Sequence, residues 1–230
     1  MNIESSFVLS AASAGDLPRD GLAEIALVGR SNVGKSSLIN ALVRQRVART
    51  SAAPGKTRLA NVYRVTRGGG APLYLLDLPG YGYARAPKAA RGATSPGAAR
   101  RASQDDFEAI VRAVFARQPA GLLLVDARHP GLETDRAAWQ WIREAAREAA
   151  VVATKIDKLG RGERIRALRA FESVLDTSVL PVSAVTGEGL DELWTLIDRL
   201  LSNSHPPRSR QPPPPPPKAT APPPLPRRKS

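Results

Sequence analysis

The chain has 230 residues, no cysteine and a formal net charge of +13, a length that suits one sizeable α/β domain with a tail. The lack of cysteine excludes disulfides and thiolate metal sites and suits a reducing compartment. No apolar run could span a bilayer, and the N-terminus lacks the basic flank and long apolar region of a secretion signal. We therefore expect a cytoplasmic, monomeric protein without membrane contact.

Positive charge is concentrated in two stretches of the chain. Residues 44–101 hold twelve Lys or Arg and one acid, and residues 202–230 hold six and none. The remainder holds sixteen basic and twenty acidic residues, a balance of −4. Nucleic acid is a polyanionic partner that suits this pattern. A solubilising surface in an Ala- and Arg-rich chain is the alternative.

Predicted strands and helices follow a lead-in at residues 1–23, which has room for a short edge strand at 6–9. A strand near 24–29, a helix near 35–43 and a loop at 44–60 come next. Two strand-like runs, 61–67 and 72–77, flank three consecutive glycines, which predicts an antiparallel hairpin.

Strands and helices alternate after a loop at 78–102 and a helix over about 105–117. The predicted strands lie near 121–127, 150–155 and 178–184, and the helices near 133–149, 161–175 and 188–201. This alternation predicts a mostly parallel sheet with helices on both faces, and ligands bound beyond the carboxyl ends of its strands. Residues 202–230 are Pro-rich and basic, which predicts a disordered tail, with a polyproline ligand as the alternative reading.

Gly29 to Ser36 read GRSNVGKS, which fits G-x-x-x-x-G-K-[ST] between a predicted strand and a predicted helix. Gly29 and Gly34 let the backbone bend around an anion, and the N–H groups of the turn and of the helix N-terminus face phosphates. Lys35 adds a mobile positive charge, and the Ser36 hydroxyl can ligate Mg²⁺. The same predicted site includes Arg30, Ser31, Asn32 and Val33.

The strand at 72–77 ends in Asp77, a carboxylate that can hold Mg²⁺ opposite Ser36. Leu78, Pro79 and Gly80 follow, and the Gly80 N–H can meet a γ-phosphate. This segment is therefore predicted to sense whether that phosphate is present. An ordinary Asp-Pro turn at a strand end is the alternative.

Thr154, Lys155, Ile156 and Asp157 come at the end of the strand at 150–155. The Asp157 carboxylate can accept the N1–H and the exocyclic amine of guanine, a donor pair that adenine lacks, so it favours GTP over ATP. The Lys155 stem can cover one face of the base. After the next strand come Val182, Ser183 and Ala184, where a backbone N–H can meet guanine O6.

With these motifs, the chain resembles the EngB (YihA/YsxC) family of ribosome-biogenesis GTPases, among the translation-factor-related P-loop GTPases. The resemblance covers about residues 5–201 and rests on GRSNVGKSSLIN, PGKTR at 54–58, DLPGYGYA at 77–84, DARHP at 126–130, TKID and VSA. It implies a Ras-like α/β fold, a three-layer sandwich with a mixed, mostly parallel sheet of about six strands. We expect this GTP-binding domain to cover residues 24–201.

The family resemblance also implies a function and further site residues. It implies binding of GTP and GDP, GTP hydrolysis, a switch role in assembly of the large ribosomal subunit, and a need for the protein in normal cell division and septation. Thr57 would ligate Mg²⁺ beside Ser36 and Asp77 when GTP is bound, and Lys35, Thr57 and Gly80 would serve catalysis. The segment that closes over the nucleotide would be Gly55, Lys56, Thr57, Arg58 and Leu59.

Three features depart from the family pattern. Thr154 stands where many GTPases have Asn. Residues 91–103 are richer in Gly, Pro and Arg than the usual route into the next helix, which affects the expected switch geometry. The tail at 202–230 is not a family feature and inherits no role.

Two residues bear on the rate of hydrolysis. Tyr81 follows Gly80 where many GTPases have a water-orienting Gln, so we predict slow intrinsic hydrolysis, with the missing group supplied by a partner, a cation or a rearranged switch. Asn32 lies in an N-x-G-K-S pattern, and its similarity to GTPases that use this Asn to bind K⁺ beside the phosphates implies a K⁺ site here. An Asn chosen for turn geometry is the alternative.

The basic segment 44–101 spans both predicted switch loops, and we expect it to face ribosomal RNA of the large subunit under control of the γ-phosphate. One alternative is a cell-division switch that recruits protein partners and has no direct ribosome role. Another is a P-loop ATPase or nucleotide kinase, against which Asp157 argues.

Overall fold

The computed structural model of the protein describes residues 2–49, 59–81 and 108–202. These parts contain seven strands: β1 (Ile3–Ala11), β2 (Ala23–Gly29), β3 (Ala60–Arg67), β4 (Leu73–Asp77), β5 (Ala120–Asp126), β6 (Ala149–Thr154) and β7 (Val179–Pro181). The helices are α1 (Lys35–Val43), α2 (described over 108–115), α3 (Glu133–Ala145), α4 (Arg161–Leu175) and α5 (Leu190–Ser202).

The strands form a mixed sheet in the order β1-β3-β4-β2-β5-β6-β7. β3 runs antiparallel to β1 and to β4, and the remaining pairs are parallel. The predicted hairpin and the mostly parallel α/β fold are thus confirmed. The predicted count of about six strands was wrong, since the described residues form seven.

The additional strand is β1, which is longer than the predicted edge segment at 6–9. It pairs with β3 from Ile3 opposite Arg67 to Ala11 opposite Ala60, with an irregularity between Phe7 and Leu9. Most of its side chains are exposed, because it is an edge strand with few neighbours. Its sequence therefore lacks the apolar run or strict alternation that marks a buried strand.

Two helical layers cover the sheet. α1 and α5 pack on one face, through residues such as Leu38, Ile39 and Trp194. α2, α3 and α4 pack on the other face, through Phe115, Trp139 and Phe171. The central strand β5 is buried along its whole length, as its continuous apolar sequence requires in a sheet covered on both faces.

Two predicted boundaries need correction. The predicted helix at 133–149 ends at Ala145, because Ala146 is extended (φ −83°, ψ 156°) and the chain enters β6 at Ala149. The predicted strand at 178–184 is paired only over Val179–Pro181, and Pro181 has no N–H to donate to the sheet. No helix in the described parts of the chain is long and apolar enough to cross a membrane.

Candidate nucleotide-binding site

Those predicted site residues that lie within the described parts of the chain meet at one edge of the sheet. Sheet register places the ends of β2, β4, β5 and β6 side by side, with Leu27 opposite Asp77 and Asp126 opposite Thr154. The carboxyl ends of neighbouring parallel strands open at the same edge, which is where ligands bind in open α/β sheets. Loops that are far apart in the sequence therefore share one site.

The loop at 29–36 contains two glycines that its geometry requires. A Cβ on Gly29 would lie 2.7 Å from the Leu124 carbonyl oxygen on β5. Gly34 precedes α1 with a φ of 109°, and Asn32 has a φ of 64°. These left-handed conformations favour Gly and Asn. The loop therefore delivers the free N–H groups of the α1 N-terminus to the sheet edge, the usual arrangement for binding an anion.

The Lys35 ammonium lies on the carbonyl side of this loop. Its Nζ donates to the Gly29 oxygen at 3.1 Å and the Arg30 oxygen at 3.4 Å, and the side chain is buried. Burial lowers the pKa of Lys35, while the charge of Asp77 opposes that shift. Among the described residues, the hydrogen-bond partners of this buried cation are carbonyl oxygens, and such a cation is suited to a polyanionic ligand.

Ser36 and Asp77 form a pair of oxygen donors next to the loop. The Ser36 hydroxyl donates to Asp77 Oδ2 at 2.7 Å. Asp77 is buried, and its Oδ1 has no hydrogen-bond partner among the described residues. Burial raises the pKa of Asp77, although Lys35 and Ser36 oppose the shift. An orphaned carboxylate oxygen beside a hydroxyl fits a hard divalent cation such as Mg²⁺.

The segment after Asp77 lies against the loop. Leu78 and Pro79 are buried, and a Cβ on Gly80 would lie 2.7 Å from the Ser31 nitrogen. The Ser31 N–H donates to the Tyr81 carbonyl at 3.1 Å, and the Ser31 hydroxyl donates to the Gly80 carbonyl at 3.4 Å. A glycine at position 80 is thus required for the two segments to touch.

The Thr154 side chain also contacts the loop at 29–36. Its hydroxyl lies 2.7 Å from the Val33 carbonyl and 3.1 Å from the Val125 carbonyl, in a buried position. A single hydroxyl therefore connects β5, β6 and the loop at 29–36. Thr154, which stands where many GTPases have Asn, therefore connects the end of β6 to the loop at 29–36.

Lys155 spans from β6 to the loop as well. Its Nζ donates to the Asn32 carbonyl at 2.5 Å and to Asp126 Oδ2 at 2.9 Å. Arg128 binds the same carboxylate through its Nε at 2.9 Å and one terminal nitrogen at 2.7 Å. Burial alone would raise the pKa of Asp126, but the hydrogen bonds from Arg128 and Lys155 hold that pKa well below its usual range. An ionised Asp126 therefore fixes the position of the Lys155 stem.

Asp157 lies beyond Lys155 and is tied to the loop after β7. The Ser183 hydroxyl donates to Asp157 Oδ1 at 2.8 Å, and Lys158 Nζ lies 3.3 Å from Oδ2. Burial opposes the shift, but the Ser183 and Lys158 hydrogen bonds lower the pKa of Asp157. Asp157 is therefore an ionised acceptor at neutral pH, the state that a guanine edge needs.

The loop after β7 also refines one prediction. The Ser183 N–H donates to the Glu188 carbonyl at 2.9 Å. Of the two N–H groups predicted to face a base, the one at Ala184 is therefore the one without a hydrogen-bond partner among the described residues. The buried side chains of Ile156 and Val182 support the two loops, since the Ile156 N–H donates to the Val182 carbonyl at 3.4 Å.

The predicted segment that would close over the nucleotide falls largely outside the described residues. Gly55, Lys56, Thr57 and Arg58 are not among the described residues, and Leu59 is 38% exposed just before β3. The basic segment 44–101 is described only at 44–49 and 59–81. Within it, Arg67 pairs with Asp198 and stacks on Trp194, so its charge has a structural role.

Sequence reasoning missed Asp126 and Asp135 as site residues. Asp126 ends a strand at the same edge as Asp77, so strand-end position was a signal for it. Asp135 is buried, and its hydroxyl partner is Tyr81. It lies three and four residues before the buried Ala138 and Trp139 of α3, so a carboxylate on the apolar stripe of a helix was the available signal.

Comparisons with known proteins agree with this geometry. A family model described as "50S ribosome-binding GTPase" matches residues 24–155. The chain is 38% identical over 214 residues to the "Probable GTP-binding protein EngB" of Heliobacterium modesticaldum, covering 90% of this chain and 97% of the relative.

Solved structures show the same fold. A crystal structure of a probable GTP-binding protein EngB covers 78% of this chain and 98% of its own, with 24% identity and a TM-score of 0.52. A crystal structure of Era in complex with MgGDPNP and nucleotides 1506-1542 of 16S ribosomal RNA has 26% identity and a TM-score of 0.58. That similarity covers 80% of this chain and 58% of the Era chain.

Proposed function

The chain belongs to the EngB family of GTP-binding proteins and is a GTPase, and we propose that it works as a switch in assembly of the large ribosomal subunit. The ribosomal part of the proposal is supported by the description of the matching family model. Its nucleotide part is carried by the ionised Asp157 at one end of the site and by Lys35 and the α1 N-terminus at the other. Such a site can read a guanine base and a triphosphate at once. We further propose that the protein is cytoplasmic and needed for normal cell division and septation.

The proposed nucleotide pose follows from the polar groups of the site. Residues 29–36 hold the phosphates through backbone N–H groups and Lys35. Asp157 accepts from guanine, the Lys155 stem covers the base, and Ala184 donates to guanine O6. Gly80 contacts the γ-phosphate, and Thr57 and its neighbours at 55–59 close over it.

Ser36 and Asp77, with Thr57 from the closing segment, are the residues proposed to hold Mg²⁺. The Oδ1 of Asp77, which has no hydrogen-bond partner in the described parts of the chain, supports this assignment. A divalent ion there would neutralise charge on the phosphate oxygens.

A K⁺ ion at Asn32 is a separate part of the proposal. The Asn32 side chain is exposed at the loop, which supports the ion. The positive φ of this residue supports the alternative, that Asn was selected for the turn. Equal hydrolysis rates in K⁺ and Na⁺ buffers would reject the ion.

We propose that intrinsic hydrolysis is slow. Tyr81 occupies the position of the water-orienting Gln of other GTPases, and its hydroxyl is engaged in a buried hydrogen bond. The chain thus offers no amide there to orient the attacking water. Single-turnover hydrolysis by the isolated protein, compared with and without large-subunit particles, measures this property.

The basic segment 44–101 is the proposed contact with ribosomal RNA. Arg44, Arg46, Arg49 and Arg64 are exposed in its described parts. The family model's description and the RNA complex of Era, a related GTPase, support an RNA partner. Both predicted switch loops lie within this segment, so a change of nucleotide would change how these cations are presented.

Guanine specificity tests the nucleotide part of the proposal. We expect the protein to bind guanosine nucleotides in strong preference to adenosine nucleotides, and Asp157→Ala to abolish the preference. Glu172→Ala, which changes an exposed carboxylate on α4, is the control and should leave it intact. No guanine preference in the natural chain, or an intact one in Asp157→Ala, contradicts the proposal.

Co-sedimentation tests the ribosomal part. The protein with a non-hydrolysable GTP analogue should sediment with large-subunit particles and dissociate when GDP replaces the analogue. Failure to sediment under both conditions would favour a cell-division switch that recruits proteins instead.

A further inference from the structure

The side chain of Tyr81 lies in the core beneath the α2, α3 and α4 layer. Its hydroxyl donates to Asp135 Oδ1 at 2.9 Å, and the two residues are 6% and 1% exposed. Asp135 belongs to the first turn of α3. The residue that follows Gly80 is therefore tied by its side chain to a helix of the scaffold.

The backbone of Tyr81 is tied to the phosphate-binding loop. Its carbonyl accepts the Ser31 N–H at 3.1 Å, and Arg30 and Tyr81 form an isolated parallel bridge. Gly80 is packed so closely on Ser31 that no side chain fits at position 80. Tyr81 thus connects α3 to the loop at 29–36. Gly80, the residue before Tyr81, packs against Ser31 at this contact.

Asp135 has little other support in this position. Its Oδ2 has no partner among the described residues. Burial raises the pKa of Asp135 to about 6, whereas the Tyr81 hydrogen bond and the charge of Arg30 lower it. At neutral pH the carboxylate is mostly ionised, and the Tyr81 hydroxyl is the donor it needs. Loss of that donor would leave a buried charge unpaired, so the bond resists displacement of Tyr81.

We propose that Tyr81 and Asp135 are positioning residues for GTP: their buried bond holds the Tyr81 backbone against Ser31 and so keeps Gly80 where it meets the γ-phosphate. The inference rests on the proposed contact between Gly80 and that phosphate. Neither side chain touches the nucleotide. GDP makes no use of Gly80, so loss of the bond weakens binding of the triphosphate more than binding of the diphosphate.

The test measures affinities of the full chain for GDP and for a non-hydrolysable GTP analogue, both in Mg²⁺. We expect Tyr81→Phe to raise the Kd for the analogue about 5- to 10-fold and the Kd for GDP less than about twofold, the scale expected for a single coupled contact. Tyr74→Phe is the matched control. It removes a Tyr hydroxyl that donates to Asp20 at 2.7 Å, from a buried ring on β4, the strand that precedes Gly80 and Tyr81. It should change neither affinity.

Asp135 variants separate positioning from general loss of structure. Asp135→Ala should reproduce the Tyr81→Phe ratio, and combining the two should add nothing, because both remove one bond. Asp135→Asn keeps an acceptor for the hydroxyl and should restore part of the discrimination. The hydrolysis rate of bound GTP should fall in Tyr81→Phe and in Asp135→Ala, and should fall less in Asp135→Asn.

An unchanged ratio of the two affinities in folded Tyr81→Phe and Asp135→Ala would overturn the positioning role while leaving GTP binding intact. An equal shift in Tyr74→Phe would overturn it too, since the effect would then be one of general stability. If the natural chain does not bind guanosine nucleotides at all, the proposed function itself fails.

Discussion

Three buried carboxylates at or near the site, Asp77, Asp126 and Asp135, differ in the direction of their pKa shifts because their neighbours differ. Asp126 has two cationic side chains within hydrogen-bond distance, which hold its pKa well below the usual range against burial. Burial prevails at Asp77 and at Asp135 and raises both pKa values. A raised pKa marks a carboxylate that gains from a cation or a donor brought in from outside. At the residue scale, Asp126 is thus a fixed support, and Asp77 is poised for a metal.

The role of Asp126 can be measured through the affinity of the protein for guanosine nucleotides. Asp126→Asn should weaken GDP and GTP binding alike, by roughly tenfold, because Lys155 loses its ionised partner and its stem no longer has a fixed position against the base. Equilibrium titration with fluorescent guanosine nucleotides gives both constants. Arg128→Ala is the control: it removes the other cation from Asp126 and leaves the Lys155 contact, so affinity should change much less. Equal losses in the two variants would show that Lys155 does not depend on Asp126.

Asp135 should make the stability of the protein depend on pH. Its pKa is about 6 in the folded chain against an ordinary value of 3.8, so the folded state binds the proton more tightly. The contribution of protonated Asp135 to the free energy of unfolding is fully present below about pH 4 and is lost as pH rises through about 6. Relative to Asp135→Asn, the natural chain should therefore lose about 1 kcal/mol of unfolding free energy between pH 5 and pH 8. Urea unfolding measures it, and a difference that stays constant with pH would contradict the assignment.

At the scale of elements, β1 closes one side of the sheet. It covers β3 along its length and contributes Ile3 and Ala11 to the buried residues, and the Phe7 ring packs edge-on against Tyr63 at 5.8 Å. Without β1, the hydrogen-bonding groups of β3 would form an open edge. The stretch before residue 24 is therefore integral to the sheet, whatever boundary is assigned to the GTP-binding domain.

Removal of β1 should destabilise the whole sheet. A chain lacking residues 2–11 should melt at a markedly lower temperature, or aggregate through the open edge of β3, because a row of hydrogen bonds and buried apolar area is lost together. Calorimetry and light scattering detect the two outcomes. The control is a chain lacking residues 203–230, which come after α5. We expect this deletion to leave the melting temperature unchanged. A stable, monomeric chain without β1 would contradict this reading of the edge.

The accuracy of the sequence predictions differed with burial. The bounds of α1 and α4 were predicted correctly because apolar spacing marks both helices and a glycine, Gly34 or Gly160, stands directly before each of them. β1 was mostly missed because its edge position leaves its side chains exposed and its pattern weak. The Tyr81–Asp135 bond could not be predicted, since it joins residues 54 positions apart in the sequence through packing of α3 on the sheet.

At the scale of the whole molecule, positive charge is concentrated in two stretches of the sequence. The basic segment 44–101 and the tail at 202–230 together hold eighteen basic residues and one acid, an excess positive charge of +17. The rest of the chain is slightly acidic. Such an asymmetry orients a protein in the field of a polyanion, which suits the proposed docking on ribosomal RNA.

This asymmetry predicts how binding to large-subunit particles responds to salt. The logarithm of the affinity should fall linearly with the logarithm of the salt concentration, with a slope of about 0.7 to 0.9 for each phosphate neutralised. Replacing Arg44, Arg46 and Arg49 with Ala should reduce the slope by about two units if these arginines face RNA. The matched control replaces three exposed arginines on α4, Arg161, Arg166 and Arg169, and should leave the slope unchanged. Sedimentation of the GTP-analogue complex over a range of salt concentrations measures both, and equal slopes for the two triple variants would place the RNA contact elsewhere on the molecule.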